Sequence, residues 1–454
     1  MRIVDVVVVG GGLAGWMAAM AALEAGAHVT LVERAGAAPG WSNSMISGGA
    51  LHAVLQDPRT DPMELIATIT KLTGGASLPE VVNAWAANAA RTIEWIEAHG
   101  GSLSTDPAHS HRAKVFDPVK ATVPGTEHLG YGTPNFLENL RGRFTAAGGI
   151  ALFGAQAREL VREDKRWRLA LADGRSLTAR AVVLADGGFQ ANPELMRRYV
   201  GTDKVKLRAT DTSVGDGLKM GLANGGVAVN MNGFYGHLLV RQALTRDELW
   251  PYPMLDGVAG VGIIVGRDGR RFTDESLGGV RSTNAVAWSD DPLGCWLVID
   301  DAGWNVEGRV GVTPPNPYLV DQDAGIVSAP SLEELATRAG IDADALAATV
   351  AALGGKAVPP RGGMMKMHVP PFHAIPLVAG VTFTLGGLKI DGHARVVNAD
   401  DQPVDGLYAA GGTAGGLHGG PDVGYAGGLL EAAVFGLIAG ESAAKLEKTA
   451  IAVE

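Results

Sequence analysis

The sequence predicts an α/β protein in which one domain is built from both ends of the chain and interrupted by an α+β capping domain. Three observations point there. The first 34 residues alternate strand, glycine turn, helix and strand. The segment from about 230 to 370 carries more Trp, Tyr, Pro and charge and fewer Ala-rich helices. From Gly386 a dense glycine pattern returns and runs into a last apolar helix.

Asp5 to Val9 reads as the first strand, followed by Gly10-Gly11-Gly12-Leu13-Ala14-Gly15, a full G-x-G-x-x-G. A helix from Trp16 to Glu24 and a strand from His28 to Val32 follow. Glu33 ends that strand, 18 residues past Gly15. In a Rossmann-like unit Gly10 permits the tight turn, Gly12 lets backbone approach a pyrophosphate, and Gly15 lets helix and strand pack closely. The helix N-terminus offers N–H groups and a positive dipole end to phosphates. Glu33 can accept hydrogen bonds from a ribose. Placed between strand and helix, with the acid at this spacing, the motif indicates a bound dinucleotide.

Pro39 to Ala50 is a loop rich in glycine and hydroxyls. Residues 62–73 and 79–99 read as helices, with Pro79-Glu80 a suitable first turn. Residues 102–132 read as irregular, and Asn135 to Ala147 as an amphipathic helix. Short strands follow at 150–161, 166–172 and 176–184, the last two joined as a hairpin by Asp173-Gly174. The strand from Ala181 to Ala185 runs into Asp186-Gly187-Gly188-Phe189. In the insert, Pro314-Pro315-Asn316-Pro317 and Pro359-Pro360 punctuate the chain, and 331–353 reads as two short helices. The final helix spans about Gly428 to Glu447. No internal repeat is present.

At 454 residues the chain exceeds what one core usually serves, so two or more domains are expected. A hydrophobic content of 46% and a mean hydropathy of +0.13 supply a large core. Val6 to Ala27 is apolar enough to mimic a membrane span, but its glycines have a better use in the fingerprint, so no span is expected. The N-terminus shows one Arg and no small-residue cleavage site, which predicts a cytoplasmic protein. The single cysteine, Cys295, excludes an internal disulfide framework and a thiolate metal cluster, and no metal site is expected. A net charge of −10 and the lack of a basic tract argue against nucleic acid or anionic lipid as partner. The 64 glycines cluster in short motifs, as when backbone must approach a large ligand closely.

Several further motifs carry a resemblance. They are Ser42-Asn43-Ser44, Ser47-Gly48-Gly49, Val183 to Phe189, Gly215-Asp216-Gly217, Arg270-Arg271-Phe272-Thr273-Asp274-Glu275, Gly386-Gly387-Leu388 and Gly406 to Gly411. With Val8 to Gly15, these make the chain similar, over nearly its whole length, to the fumarate reductase/succinate dehydrogenase flavoprotein superfamily. That group includes tricarballylate dehydrogenases and 3-ketosteroid Δ1-dehydrogenases. The resemblance implies FAD and an α/β fold of two parts. A Rossmann-like FAD-binding domain would comprise 1–229 and 371–454, and a capping domain that closes over substrate would comprise 230–370.

The resemblance also implies where FAD lies. Its pyrophosphate would sit on Gly10, Gly12, Leu13, Ala14 and Gly15, with Glu33 and Arg34 beyond. Ser42, Asn43, Ser44, Ser47, Gly48 and Gly49 would line the ribityl and isoalloxazine side, and Ala157 would meet the adenine. Asp186, Gly187, Asp216, Gly411 and Gly412 complete the expected contacts. The last helix, at Gly428, Leu429 and Leu430, would point its N-terminus at the flavin N1–O2 edge, where a helix dipole stabilises anionic reduced flavin. Relatives that attach FAD covalently use a His near position 43. Trp41-Ser42-Asn43-Ser44 has none, so non-covalent FAD is expected.

The sequence then departs from the fumarate reductase pattern. Six residues after Met231, His237 matches a substrate-binding His. Thr382 stands where a second His belongs, and Gly279 where the proton-donor Arg belongs, with Arg281 displaced by two. Tyr425 replaces the last Arg. Losing two cationic clamps argues against a dicarboxylate dianion. Tyr131, Tyr235, Tyr252 and Tyr425 offer the tyrosine chemistry of ketosteroid dehydrogenases, as base or as donor to an enolate oxygen. Tyr425, His237, Arg281 and Tyr131 are the candidate catalytic residues.

The function expected is FAD-dependent desaturation of a Cα–Cβ bond beside the carbonyl of a cyclic ketone or small organic acid, with hydride transfer to flavin N5. The alternatives are an enoate reductase using Arg281 as donor, and a flavin monooxygenase, which lacks support from a second dinucleotide fingerprint. A small-molecule ketone or carboxylate is the expected partner. The electron acceptor and the oligomeric state stay open.

Overall fold

The central strand is Arg2–Val9, and the fold grows outward from it. The structure is a computed structural model that describes residues 2–105, 114–119, 132–311, 313–353 and 366–446. Val29–Val32 and Ser176–Leu184 flank that strand in parallel, with Val6 opposite Val29 on one side and Ala181 on the other. Ile150–Leu152 extends the sheet beyond Val29–Val32, and Pro403–Ala409 extends it beyond Ser176–Leu184. The hairpin Ala157–Glu163 and Arg166–Leu171 attaches to Ser176–Leu184. Parallel strands buried on both faces read as continuous apolar runs, and Val6, Val7 and Val8 are fully buried.

The predicted strand at 150–161 is two strands. The chain leaves the parallel sheet after Leu152 and turns at Gly154, whose φ is +64°, before starting the hairpin at Ala157. The Gly154 and Ala155 N–H groups donate to Ala35 and Glu33 carbonyls, so the break lies against the end of the second strand. The first helix begins at Leu13, directly on the glycine turn, and the helix expected from Asn135 begins at Gly132. Within the stretch expected to be irregular, Leu103–Ser104 and Lys114–Phe116 join Ala50–Leu51 in a small sheet.

The first helix, Leu13–Glu24, packs on the last, Gly428–Lys445. A Cβ on Gly436 would lie 2.5 Å from the Ala14 carbonyl, so only glycine permits this approach. Their close packing sets both helix N-termini on one cleft. No helix among the described residues is long and apolar enough to cross a membrane.

A second sheet is organised by one long strand, Phe372–Thr384. Against it lie Lys206–Leu207, Phe234–Val240, Trp296–Asp300 and Val327–Ala329, with Ile263–Val265 outside. The long strand begins just past residue 370 yet pairs with strands of the insert, so the two regions join along it. Arg271 and Glu275 form a fully buried ion pair here. Glu275 also accepts the Ile264 N–H at 2.7 Å, which satisfies a carboxylate that burial would otherwise disfavour.

Candidate active site

The glycine turn is braced by the acid at the end of the second strand. Glu33 is 4% exposed; one of its oxygens accepts the Gly11 N–H at 2.6 Å and the other the Ala35 N–H at 2.7 Å. Burial raises its pKa above the usual carboxylate value, against these hydrogen bonds. A Cβ on Gly15 would sit 1.9 Å from the Gly10 carbonyl oxygen, so the helix closes on the strand only with glycine there. Ser44 Oγ accepts the Leu13 N–H at 3.0 Å and fixes the helix start.

A cavity of about 640 Å³ runs from this turn to the insert. Nearly every residue expected to touch the cofactor lines it. Two do not: Gly15 packs on Gly10, and Leu430 is fully buried in the core. At one end Arg34 donates to the Thr212 carbonyl and stands 3.7 Å from Asp216, which also accepts from Gln156. Ala157 lies beside them. Midway, Asp186 accepts the Gly217 N–H at 2.7 Å and the Thr413 hydroxyl at 3.2 Å. Burial, and secondarily the charge of Asp216, push its pKa up to about 6. Asn43 ties the loop to the second sheet by donating to the Thr382 carbonyl and accepting the Thr210 N–H.

The donor set fits FAD. The Ser42 hydroxyl is buried on the cavity wall and makes no hydrogen bond within the protein, a cost that a ribityl hydroxyl or phosphate oxygen would remove. Gly12 brings no side-chain cap to the first helix and Ser44 takes only the Leu13 N–H, which leaves the rest of the N-terminus for an anion. Bound there, FAD would supply a hydride acceptor at N5.

Aromatic and titratable side chains gather at the far end. Tyr235 and Tyr425 stack with ring centroids 4.0 Å apart, and Phe383 lies against both. His237 Nδ1 is 2.8 Å from Asp256 Oδ2, so in the neutral ring Nδ1 carries the proton. Its Nε2 is then an acceptor, and the Tyr235 hydroxyl donates to it at 3.0 Å. Asp256 also accepts the Leu238 N–H, which fixes the carboxylate. The Tyr425 hydroxyl accepts the Gly428 N–H at 2.9 Å, at the start of the last helix. Behind it, buried His418 accepts the Ala426 N–H on Nδ1 and turns Nε2 toward Glu431, 3.3 Å away.

The structure thus brings Tyr425 and His237 into one cluster. Arg281 lines the same cavity, but its guanidinium donates to the Pro421 carbonyl and stands 3.7 Å from Asp422. Tyr131 lies outside the described residues. Sequence reasoning missed Asp256 and Arg208. Asp256 opens a short helix 19 residues after His237, and the Leu255 N–H, donating to the Leu238 carbonyl at 2.9 Å, brings it back. Arg208 lines the cavity beside Thr382.

Fold and cleft together define a Rossmann-type flavoprotein oxidoreductase. The chain belongs to the family described as FAD binding domain, which it matches over residues 5–424. It is 29% identical over 463 residues to a probable fumarate reductase, Ifc3, of Shewanella frigidimarina, covering 97% of this chain and 75% of that protein. It is 30% identical over 303 residues to the 4-oxocyclohex-2-ene-1-carboxylate 5-dehydrogenase of Sinomonas cyclohexanicum, covering 58% of this chain and 51% of that one. The fold matches the 3-ketosteroid Δ1-dehydrogenase of Sterolibacterium denitrificans with a TM-score of 0.75 at 20% identity, covering 98% of this chain and 100% of that one. This chain is therefore an FAD-dependent oxidoreductase of that family, and it shares its fold with the ketosteroid dehydrogenase.

Proposed function

We propose that the protein desaturates a Cα–Cβ bond next to a carbonyl, in a cyclic ketone or small organic acid. The observation that carries this reading is the chain Tyr235–His237–Asp256 stacked against Tyr425. The α proton passes to Tyr235 as its own proton moves to His237 Nε2, where Asp256 steadies the imidazolium. Tyr425 donates to the carbonyl oxygen as enolate charge develops. The Gly428 N–H on its oxygen polarises that donor. FAD bound in the cleft would supply the acceptor for the β-hydride, so that one saturated ketone would yield one enone, one proton and one reduced flavin. The dehydrogenase of Sinomonas cyclohexanicum, named for a cyclic keto acid, supports the same reading by analogy.

The test is anaerobic mixing of the holoenzyme with a panel of cyclic ketones and keto acids. Bleaching of the visible flavin band is the expected result; a broad panel that never bleaches it removes the reading. The likeness to fumarate reductases favours a second reading, reduction of an enoate with Arg281 as proton donor. Chemically reduced Arg281→Ala enzyme should then fail to consume an enoate, and an unchanged rate ends that alternative. We further infer that FAD is held without a covalent bond. Acid precipitation should leave the flavin in solution, and flavin retained in the pellet overturns this.

A further inference from the structure

Among the described residues, three arginines line the cavity. Arg34 stands by Asp216 and Arg281 by Asp422, each at 3.7 Å. Arg208 has no acidic side chain within 4.0 Å among the described residues. Its partners are neutral: the Pro251 carbonyl at 3.1 Å, the Thr382 hydroxyl at 3.2 Å and the Met254 sulfur at 3.7 Å. The Tyr252 ring lies 5.3 Å from its guanidinium carbon. A guanidinium has five N–H donors, so two remain after these three contacts, and sulfur is a weak acceptor for the third. A half-buried cation held in place by neutral groups, with donors to spare, is built to meet an anion from outside.

Its placement says which anion. The Arg208 N–H donates to the Val381 carbonyl, on one side of the long strand Phe372–Thr384. Tyr235 pairs with Phe383 on the other side. Two strand spacings separate them, about 10 Å of backbone, with both side chains on one cavity. Thr382, which stands where the resemblance calls for a cationic or neutral His, here holds Arg208 in position.

We propose that Arg208 anchors a carboxylate on the substrate, and that the substrate class is a compact cyclic keto acid. Its carbonyl meets Tyr425 and Tyr235, and its carboxylate receives the guanidinium fork across the ring. This rests on the desaturase reading above. It adds the anionic group and the residue that recognises it.

The experiment compares 4-oxocyclohexanecarboxylate with its methyl ester on anaerobic oxidised holoenzyme, by calorimetry and by perturbation of the flavin spectrum. The acid should bind about 10–100-fold tighter than the ester. Arg208→Gln should erase that preference while ester binding holds, and Arg208→Lys should keep part of it. Equal binding of acid and ester by the native protein, or a preference that survives Arg208→Gln, overturns the proposal. A preference without flavin bleaching leaves Arg208 as anchor and sinks the desaturase reading. Equal bleaching by ester and acid, with equal binding, does the reverse.

Discussion

The Tyr425 hydroxyl accepts the Gly428 N–H at 2.9 Å, so the tyrosine that faces the substrate cavity also caps the last helix. One oxygen therefore ties the start of the last helix to the proposed donor to the substrate carbonyl. Tyr425→Phe leaves that N–H without its acceptor and should lower stability by about 1 kcal/mol, read from urea midpoints. It should also slow anaerobic flavin reduction by roughly 100-fold or more. A loss of stability with an unchanged reduction rate would show that Tyr425 is a cap alone.

Asp256 accepts from two donors, one on each oxygen: His237 Nδ1–H and the Leu238 N–H. Asparagine offers one oxygen and an NH₂ group, so one donor would face another donor. With the amide turned toward His237, the ring takes the other tautomer and Nε2–H points at the Tyr235 hydroxyl. Asp256→Asn should therefore cut flavin reduction by roughly 100-fold or more and displace its pH profile. An unmoved profile would place the base elsewhere.

Glu33 serves the cofactor site through its own hydrogen bonds as well as through any ribose contact. Glu33→Ala strips the Gly11 and Ala35 N–H groups of their acceptors inside a buried turn. FAD affinity should fall by roughly 10–100-fold, measured by recovery of flavin fluorescence on dilution. Unchanged affinity would mean that the glycine turn holds its shape without the acid.

Asp186 makes stability depend on pH. Its folded pKa is about 6 against an ordinary 3.8, so the folded protein keeps this proton where the unfolded chain has lost it. Its contribution is full below 3.8, declines as pH rises through 6, and is gone above. The difference is of order 3 kcal/mol. Asp186→Asn stays neutral throughout, so the stability of the variant at about pH 7 relative to about pH 4, read from urea midpoints, should exceed that of the native chain. Equal spacing in both proteins would assign the dependence to other groups.

What could be read from the sequence was local. The fingerprint Gly10 to Gly15 and its acid at Glu33 lie within one unit, and the Asp173-Gly174 hairpin is closed by neighbours in the chain. The two helices in 331–353 show their own caps, Ser331 and Asp342. What could not be read depends on the long strand Phe372–Thr384. It aligns Tyr235 and His237 on one side and Arg208 on the other, and no spacing along the chain announces that. The break at Gly154 was hidden for a related reason. Residues on both sides favour strands, and only the carbonyls of Glu33 and Ala35 show where one sheet position ends.

The two helices that meet at Gly436 and Ala14 have a consequence for biosynthesis. The cleft that residues 10 to 15 frame is closed by residues 411–432, which are synthesised some 400 positions later. At about 5–20 residues per second, that is a delay of roughly 20–80 s. During this interval the strand Arg2–Val9 has its neighbour Val29–Val32, but the apolar face meant for the last helix is bare. Flavin capture must await residues 411–432, and until then the N-terminal half is the part that chaperones have most to shield.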